Sequence, residues 1–327
     1  MKSAVLYTCL LFFFTLALGA QTAKDQELLE LTKDCKARSM ADLESLAQCL
    51  VTKATTAEDS VRLLAYWVTQ NIAYDAVAFQ KGEIVRGADV LKRRKGVCQD
   101  YSELFVALCD AVGIECYLVA GYSKGYGHRP GRPFKRPGHA WNIVKVGNDY
   151  AFVDLTWASG ALKPSGNRLR YVKRFTPSRI LAESADFAKD HLPANPAWQL
   201  QEDPMSMETF AGLPATDRVL PKQDYLEEIN LIAALDPIEQ RIRDAERGFA
   251  FYPIEFNYKR MLDNYLNAAS HWANNVGTKE SLEKAQVQLE KVKQIATSNK
   301  AFKKWSRVYD GKANKGLAFV RQQLSRL

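Results

Sequence analysis

A thiol, an imidazole and a carboxylate follow one another along this chain, each at the edge of a predicted helix or strand. Cys98 precedes a segment, 101–112, whose apolar residues recur at three- and four-residue steps, so it is predicted to lie at the N-terminal end of a helix. His139 opens the predicted strand 139–146, and Asp154 lies in the predicted strand 150–156. With a further predicted strand, 114–121, the pattern indicates an α+β fold in which the Cys98 helix packs on an antiparallel sheet.

The connection between the last two strands decides whether His139 and Asp154 can meet. Gly147-Asn148 is typical of a two-residue hairpin turn, which places His139 and Asp154 diagonally on one face of the sheet. Diagonal neighbours lie about 7–8 Å apart, within reach of a hydrogen bond between the two side chains. A three-residue loop that included Asp149 would put them on opposite faces. The short turn is therefore a prediction of the site hypothesis.

These three residue types are the parts of a nucleophilic acyl-transfer site. The N-terminal end of a helix carries partial positive charge and free N–H groups, which stabilise the thiolate of Cys98. Asp154 would orient the ring of His139, and His139 would take the proton of the thiol and later deliver one to the leaving group. Each residue alone is weak evidence, because a single histidine on a strand is usually structural.

Longer motifs around the three residues carry a family resemblance. They occupy 96–102, 119–125, 138–142 and 153–157, with agreeing flanks at 67–75 and 190–200. Over roughly 61–200 the chain resembles the transglutaminase-like superfamily, and within it the branch that contains the kyphoscoliosis peptidase. The resemblance implies a papain-like core with Cys98, His139 and Asp154 as a catalytic triad. A helical C-terminal domain follows this core.

The donors that would stabilise an oxyanion are only partly fixed by the sequence. The backbone N–H of Cys98 is one natural donor, and a side-chain donor is expected from Gln70 or Tyr74, between which the sequence does not choose. Gln99 stands where the cross-linking transglutaminases have tryptophan, which weakens the expectation of cross-linking activity without excluding it. Trp157 is expected near the site, either in the wall of the cleft or in the core.

The N-terminus and the cysteines point to export. Residues 1–20 combine an early lysine, a short apolar run and small residues before the expected cleavage site, as secretory signal peptides do. We therefore expect a secreted, periplasmic or cell-envelope protein. Cys35 and Cys49 lie in a predicted helical hairpin, and the sequence leaves open whether they form a disulfide. Cys109 and Cys116 fall on apolar positions and are predicted to be buried thiols.

The catalytic domain is predicted over 21–215, including N-terminal helices, and a basic helical domain over 216–327. The segment 277–327 holds twelve lysines and arginines and four acidic residues, a net charge of +8 that equals that of the whole chain. One interpretation is that these charges lie on the solvated faces of lysine-rich helices. The other is that they attract acidic envelope polymers or anionic surfaces. Nucleic acid is not expected as a partner, and no cofactor or metal site is predicted.

The sequence thus predicts an exported cysteine hydrolase, a peptidase or amidase, that acts on a protein or peptide through a thioester acyl-enzyme. One alternative is a transglutaminase, in which a lysine amine resolves the same intermediate. The other is a non-catalytic binding or scaffold protein that uses the basic helical domain. The complete set of triad residue types counts against the scaffold, whereas nothing in the sequence separates hydrolysis from transfer.

Overall fold

A computed structural model describes residues 21–83, 89–216, 219–275 and 278–327. The predicted signal peptide, 1–20, lies outside these residues. The chain divides into two compact units, the first formed by residues up to Ala120 and by His139–Lys189, the second by Gly121–Gly138 and Asp190–Leu327. The predicted domain boundary at 215/216 does not coincide with this division.

The first unit begins with helices and has one continuous apolar core. Its helices are α1 (21–32), α2 (Leu43–Val51), α3 (Ala57–Asn71), α4 (Ala76–Lys81), α5 (Asp89–Arg93), α6 (Cys98–Asp110), α7 (Leu155–Ser159) and α8 (Ser184–Phe187). Helix α3 starts where the Thr56 side chain accepts the N–H of Asp59, and it buries nearly every residue from Val61 to Thr69. Helices α2, α3 and α7 all contact α6, so α6 is held from several sides.

A disulfide joins Cys35 to Cys49 at the start of this core. The sequence left open whether these two cysteines pair, and in the structure they do. Trp67 on α3 is fully buried beside it and donates its Nε1–H to the backbone oxygen of Cys35 at 2.7 Å. Cys109 and Cys116 are buried free thiols, as predicted.

The sheet of the first unit packs against α6 through β4. The strands of the unit are β1 (Ala73–Tyr74), β2 (Lys95–Gly96), β3 (Cys116–Ser123), β4 (His139–Val146), β5 (Asp149–Val153), β6 (Gly160–Ser165), β7 (Arg168–Lys173) and β8 (Ile180–Ala182). The order in the sheet is β8-β5-β4-β3, while β1 pairs with β2 and β6 pairs with β7 in small separate sheets.

The β4–β5 hairpin has the predicted short turn. Val146 pairs with Asp149 and Asn142 with Val153, so Gly147 and Asn148 alone form the turn. Gly147 has a φ of 63°, a left-handed conformation that suits glycine. The register prediction is confirmed.

The second unit is mainly helical. Its elements are β9 (His191–Pro193), α9 (Met207–Ala211), α10 (Tyr225–Ala233), α11 (Pro237–Phe251), α12 (Glu255–Asn275), α13 (Lys279–Ser298) and α14 (Lys303–Leu324). β9 pairs with Gly121–Ser123, the C-terminal end of β3. The flanking motif 190–200 therefore belongs to this unit: Trp198 donates its Nε1–H to Asp244 of α11 at 3.0 Å. These contacts explain why the compact units divide earlier than position 215.

Each of the helices α11 to α14 packs against the next around two apolar clusters, one of which contains Tyr258, Leu262 and Tyr309. Within the described residues, no helix combines the length and the apolarity that crossing a membrane would need.

Candidate active site

Cys98 is the first residue of α6, at the end where backbone N–H groups are free. The buried carboxylate of Asp100 accepts the N–H of Val97, the N-cap residue, at 2.7 Å. A Cβ on Gly96 would lie only 2.6 Å from the Cβ of Asp100, so this close turn requires glycine. The turn from Gly96 to Asp100 therefore fixes where Cys98 enters the helix.

The segment before Cys98 is anchored by main-chain pairing with β1. Tyr74 pairs with Gly96, and the N–H of Asp75 donates to the oxygen of Gly96 at 2.9 Å. Arg93 donates to the Asp75 carboxylate at 3.1 Å, while Arg94 donates to the oxygen of Ala37. Arg93 thus binds a side chain of a neighbouring segment, and Arg94 binds a backbone oxygen.

His139 and Asp154 meet as the register predicts. The Nε2 of His139 lies 2.8 Å from Oδ2 of Asp154, with the two side chains 8% and 0% exposed. Since a carboxylate only accepts hydrogen bonds, Nε2 carries the hydrogen and Nδ1 is left for Cys98. Cys98 is hydrogen-bonded to this imidazole, which completes a thiol–imidazole–carboxylate chain.

The prediction that Asp154 lies within a strand is wrong. β5 ends at Val153, and Asp154 is the N-cap of the short helix α7, where its Oδ1 accepts the N–H of Trp157 at 3.0 Å. The chain bends into a helix because the aspartate side chain satisfies a free N–H of its first turn. One carboxylate oxygen thus starts α7 and the other orients His139.

The charge of this cluster acts strongly on His139. Burial by itself lowers the pKa of the imidazole, but the negative charges and hydrogen bonds of Asp154 and Cys98 outweigh burial and raise the pKa to about 10. A raised pKa keeps His139 cationic at neutral pH.

Of the four other predicted site residues, Tyr74 and Trp157 lie beside the chain of three. Burial, and then the charges of Cys98 and Asp154, raise the pKa of Tyr74, so its hydroxyl keeps its proton and remains a donor. The ring of Trp157 lies 5.8 Å from that of His139, and the guanidinium of Arg179 lies 5.0 Å from the Trp157 ring centre. Tyr74 and Trp157 thus line the site.

The other two residues are engaged differently. Gln99 donates its Nε2–H to Glu103, one turn along α6, at 2.8 Å. The backbone oxygen of Gln70 accepts the ammonium of Lys173 at 2.9 Å. Of the two predicted donors, Tyr74 is the one whose pKa is raised by burial and by the charges of Cys98 and Asp154.

Two supporting residues escaped the sequence analysis. Asp100 stands at the third helical position, where an acidic side chain commonly reaches back to the N-cap, and that spacing is a readable signal. Asn142 is fully buried and donates to the backbone oxygens of Ser102 and Tyr117, at 3.1 and 3.3 Å. It ties α6 to the sheet, and nothing in its local sequence indicates that role.

The order of elements and the placement of the three side chains are those of a papain-like fold. The sequence model of the transglutaminase-like superfamily matches residues 44–156, which span α2, α6, the β4–β5 hairpin and Asp154. The chain therefore carries a transglutaminase-like domain.

Several known proteins are similar to part of this chain. The chain is 33% identical to human kyphoscoliosis peptidase over 171 residues, which cover 51% of this chain and 26% of that protein. It is 28% identical to Hillarin of Drosophila melanogaster over 185 residues, covering 52% and 22% of the two chains. It thus spans about a quarter of the curated relatives that it matches. A crystal structure of a TGase aligns at 17% identity and a TM-score of 0.28, over 50% of this chain and 38% of that one.

Proposed function

We propose that this protein is a thiol-dependent hydrolase, a peptidase or amidase, with Cys98 as nucleophile, His139 as acid and base, and Asp154 as orienting carboxylate. The observation that carries the proposal is the buried His139, held on one side by Asp154 at 2.8 Å and bonded on the other to Cys98 at a helix N-terminus. The name of the kyphoscoliosis peptidase supports peptide hydrolysis as the reaction.

In the proposed reaction, His139 holds the proton of Cys98, and the thiolate sulfur attacks the substrate carbonyl carbon. The N–H of Cys98 and the hydroxyl of Tyr74 donate to the oxyanion that forms. As the C–N bond breaks, His139 gives its proton to the leaving amine, and a thioester remains on Cys98. His139 then takes a proton from water, and the water oxygen attacks the thioester carbon. The C–S bond breaks, a carboxylic acid is released, and Cys98 is again a thiolate beside protonated His139, as at the start.

The experiment that tests this proposal is a digest of peptide libraries by the purified protein, with Cys98→Ala as control and with and without an added primary amine. We expect new N-termini from the unmodified protein alone. Incorporation of the amine without cleavage would show that the protein transfers acyl groups to amines, as transglutaminases do, and would contradict hydrolysis. If neither product forms and iodoacetamide does not alkylate Cys98 preferentially, the result would favour the scaffold interpretation.

Export is part of the proposal. It is supported by the signal-like pattern of residues 1–20 and by the Cys35–Cys49 disulfide, since stable disulfides are typical of oxidising compartments. N-terminal sequencing of the protein from its native host should find a chain that begins near Gln21. An intact N-terminus on a protein that stays with the reduced cytosolic fraction would contradict export.

We further propose that the basic helical region attracts acidic envelope polymers or anionic surfaces. The support is the net charge of +8 in 277–327, part of it on exposed α14 residues such as Lys303, Lys304 and Arg307. Sedimentation with anionic vesicles or polymer should be lost as salt rises, and it should weaken when these three residues become glutamine. Salt-independent or unchanged sedimentation would contradict the proposal.

A further inference from the structure

The connection that precedes His139, residues 124–138, is strongly basic and contains no acidic residue. Four of its cations have exposed side chains: Arg129, Arg132, Lys135 and Arg136. Elsewhere arginines pair with carboxylates, as Arg243 does with Glu228 and Arg260 with Asp244. In the part of the chain that the structure describes, no carboxylate pairs with any of these four loop cations.

This basic loop is built from hydrogen-bonded turns. The N–H of Arg132 donates to the oxygen of Arg129 at 3.3 Å, across Pro130 and Gly131, and Gly131 has a φ of 72°. Proline followed by a left-handed glycine is the pattern of a type II turn, whose first and last Cα atoms lie within about 7 Å of each other. The turn therefore brings the Cα atoms of two exposed arginines, Arg129 and Arg132, close together.

The loop is also anchored to other parts of the second unit, to which it belongs. The N–H of Gly131 donates to the oxygen of Ala211, and that of Gly138 donates to the oxygen of Gly121, at 3.3 and 2.9 Å. The ring of Phe134 packs in the apolar cluster, 5.5 Å from that of Tyr122 and 5.6 Å from that of Phe210. Because this backbone is held in place before any ligand arrives, binding would cost little ordering of the loop.

Adjacent exposed arginines without an internal partner suit carboxylates, which guanidinium groups bind through two parallel hydrogen bonds. Arg136 precedes His139 by three residues, and three residues of chain reach at most about 11 Å. The Cα atom of Arg136 therefore lies within this distance of the Cα atom of His139, the proposed general base. This proximity favours a segment of the substrate over a distant polymer or membrane.

We propose that the basic loop, residues 124–138, binds an aspartate- and glutamate-rich segment of the peptide substrate, with Arg129 and Arg132 as the paired contact. That the bound peptide is a substrate rests on the proposed function, whereas the binding itself does not require activity. It assigns the enzyme a preference for acidic peptides.

The test is fluorescence anisotropy with a labelled peptide of alternating glutamate and alanine, added to the Cys98→Ala protein. The loop variant is Arg129→Gln with Arg132→Gln, which keeps Pro130 and Gly131. The control is Arg168→Gln with Arg170→Gln, which removes two exposed arginines, on β7, and the same charge. We expect the loop variant to weaken binding about tenfold and the control less than about twofold.

Equal losses in both variants would overturn the proposal in favour of nonspecific attraction, as would the absence of binding at low salt. Tighter binding of a serine phosphopeptide or of anionic vesicles, lost in the loop variant, would overturn the choice of ligand. With active protein, the loop variant should raise KM for acidic peptides by a larger factor than KM for neutral peptides. If no peptide is cleaved while binding behaves as expected, the proposed function fails and the acidic-peptide site stands.

Discussion

At the scale of single residues, the imidazole of His139 reports the state of the whole site. Its pKa of about 10 arises because Asp154 and Cys98 outweigh the effect of burial. We predict that NMR titration of 13C-labelled histidine, in a chain with only four histidines, shows one ring that titrates near pH 10. Asp154→Asn and Cys98→Ala should each lower that midpoint. A His139 signal that titrates near 6.5 in the unmodified protein would contradict the raised pKa of this imidazole.

The same pKa shift predicts how stability depends on pH. The folded protein holds the His139 proton more tightly than the unfolded chain, whose ordinary value is 6.5. The stabilisation is therefore fully present below pH 6.5 and is lost as pH rises through about 10. Urea unfolding across this range should show a falling free energy of unfolding, with a shallower fall in Asp154→Asn. Parallel slopes for the two proteins would count against a raised pKa of His139.

The Asp154 carboxylate also selects the tautomer of His139. In Asp154→Asn, the oxygen that accepts the Trp157 N–H can stay in place, and the new amide donates to Nε2. Neutral His139 then carries its hydrogen on Nδ1 and cannot take the thiol proton. If the proposed reaction is right, kcat/KM should fall about 10³- to 10⁴-fold while circular dichroism stays unchanged. A variant that retains full activity would remove Asp154 from the mechanism.

At the scale of elements, the turn before α6 depends on the absence of a side chain at position 96. We predict that Gly96→Ala displaces Asp100, lowers the free energy of unfolding by about 1–3 kcal/mol and slows alkylation of Cys98. Gly138→Ala is the matched control: it changes the glycine before His139, where an added Cβ meets no atom within 4 Å. Urea midpoints and iodoacetamide rates measure both effects. Equal effects of the two substitutions would show that the contact with Asp100 is not the cause.

The elements that carry the site were largely readable from the sequence, because each has a local signal. Helical periodicity located α6, and the Gly147-Asn148 turn fixed the register that brings His139 to Asp154. The sequence does not predict the bend at Asp154. The apolar residues of 150–156 are typical of a strand, and the start of α7 depends on the side chain of Asp154 alone. The β6–β7 hairpin was also missed, because its strands are mostly polar and exposed, without the alternation that predicts strands.

At the scale of the whole molecule, local patterns were less informative. The division at Ala120/Gly121 and Lys189/Asp190 follows from β9, which pairs with the end of β3, and from contacts such as Trp198 with Asp244. These contacts join residues that are distant in sequence, and no periodicity or turn signal encodes them. The role of Asn142, which ties α6 to β3 and β4, cannot be predicted from the sequence for the same reason.

The Cys35–Cys49 disulfide closes a loop of fourteen positions beside the core of the first unit. A crosslink over a loop of this size stabilises the folded state by about 3 kcal/mol, mainly by restricting the unfolded chain. We therefore predict that a reductant lowers the urea midpoint of the protein. Cys35→Ala with Cys49→Ala is the control, because the backbone oxygen that accepts the Trp67 N–H remains.

That double variant should unfold at the lower midpoint whether or not the reductant is present. Cys98 should still be alkylated in it at the original rate, because the disulfide stabilises the core and has no part in the proposed chemistry. If the reductant lowers the midpoint of the variant as well, the stabilising bond would have to involve other cysteines. The prediction thus separates the cysteines of the fold from the cysteine of the site.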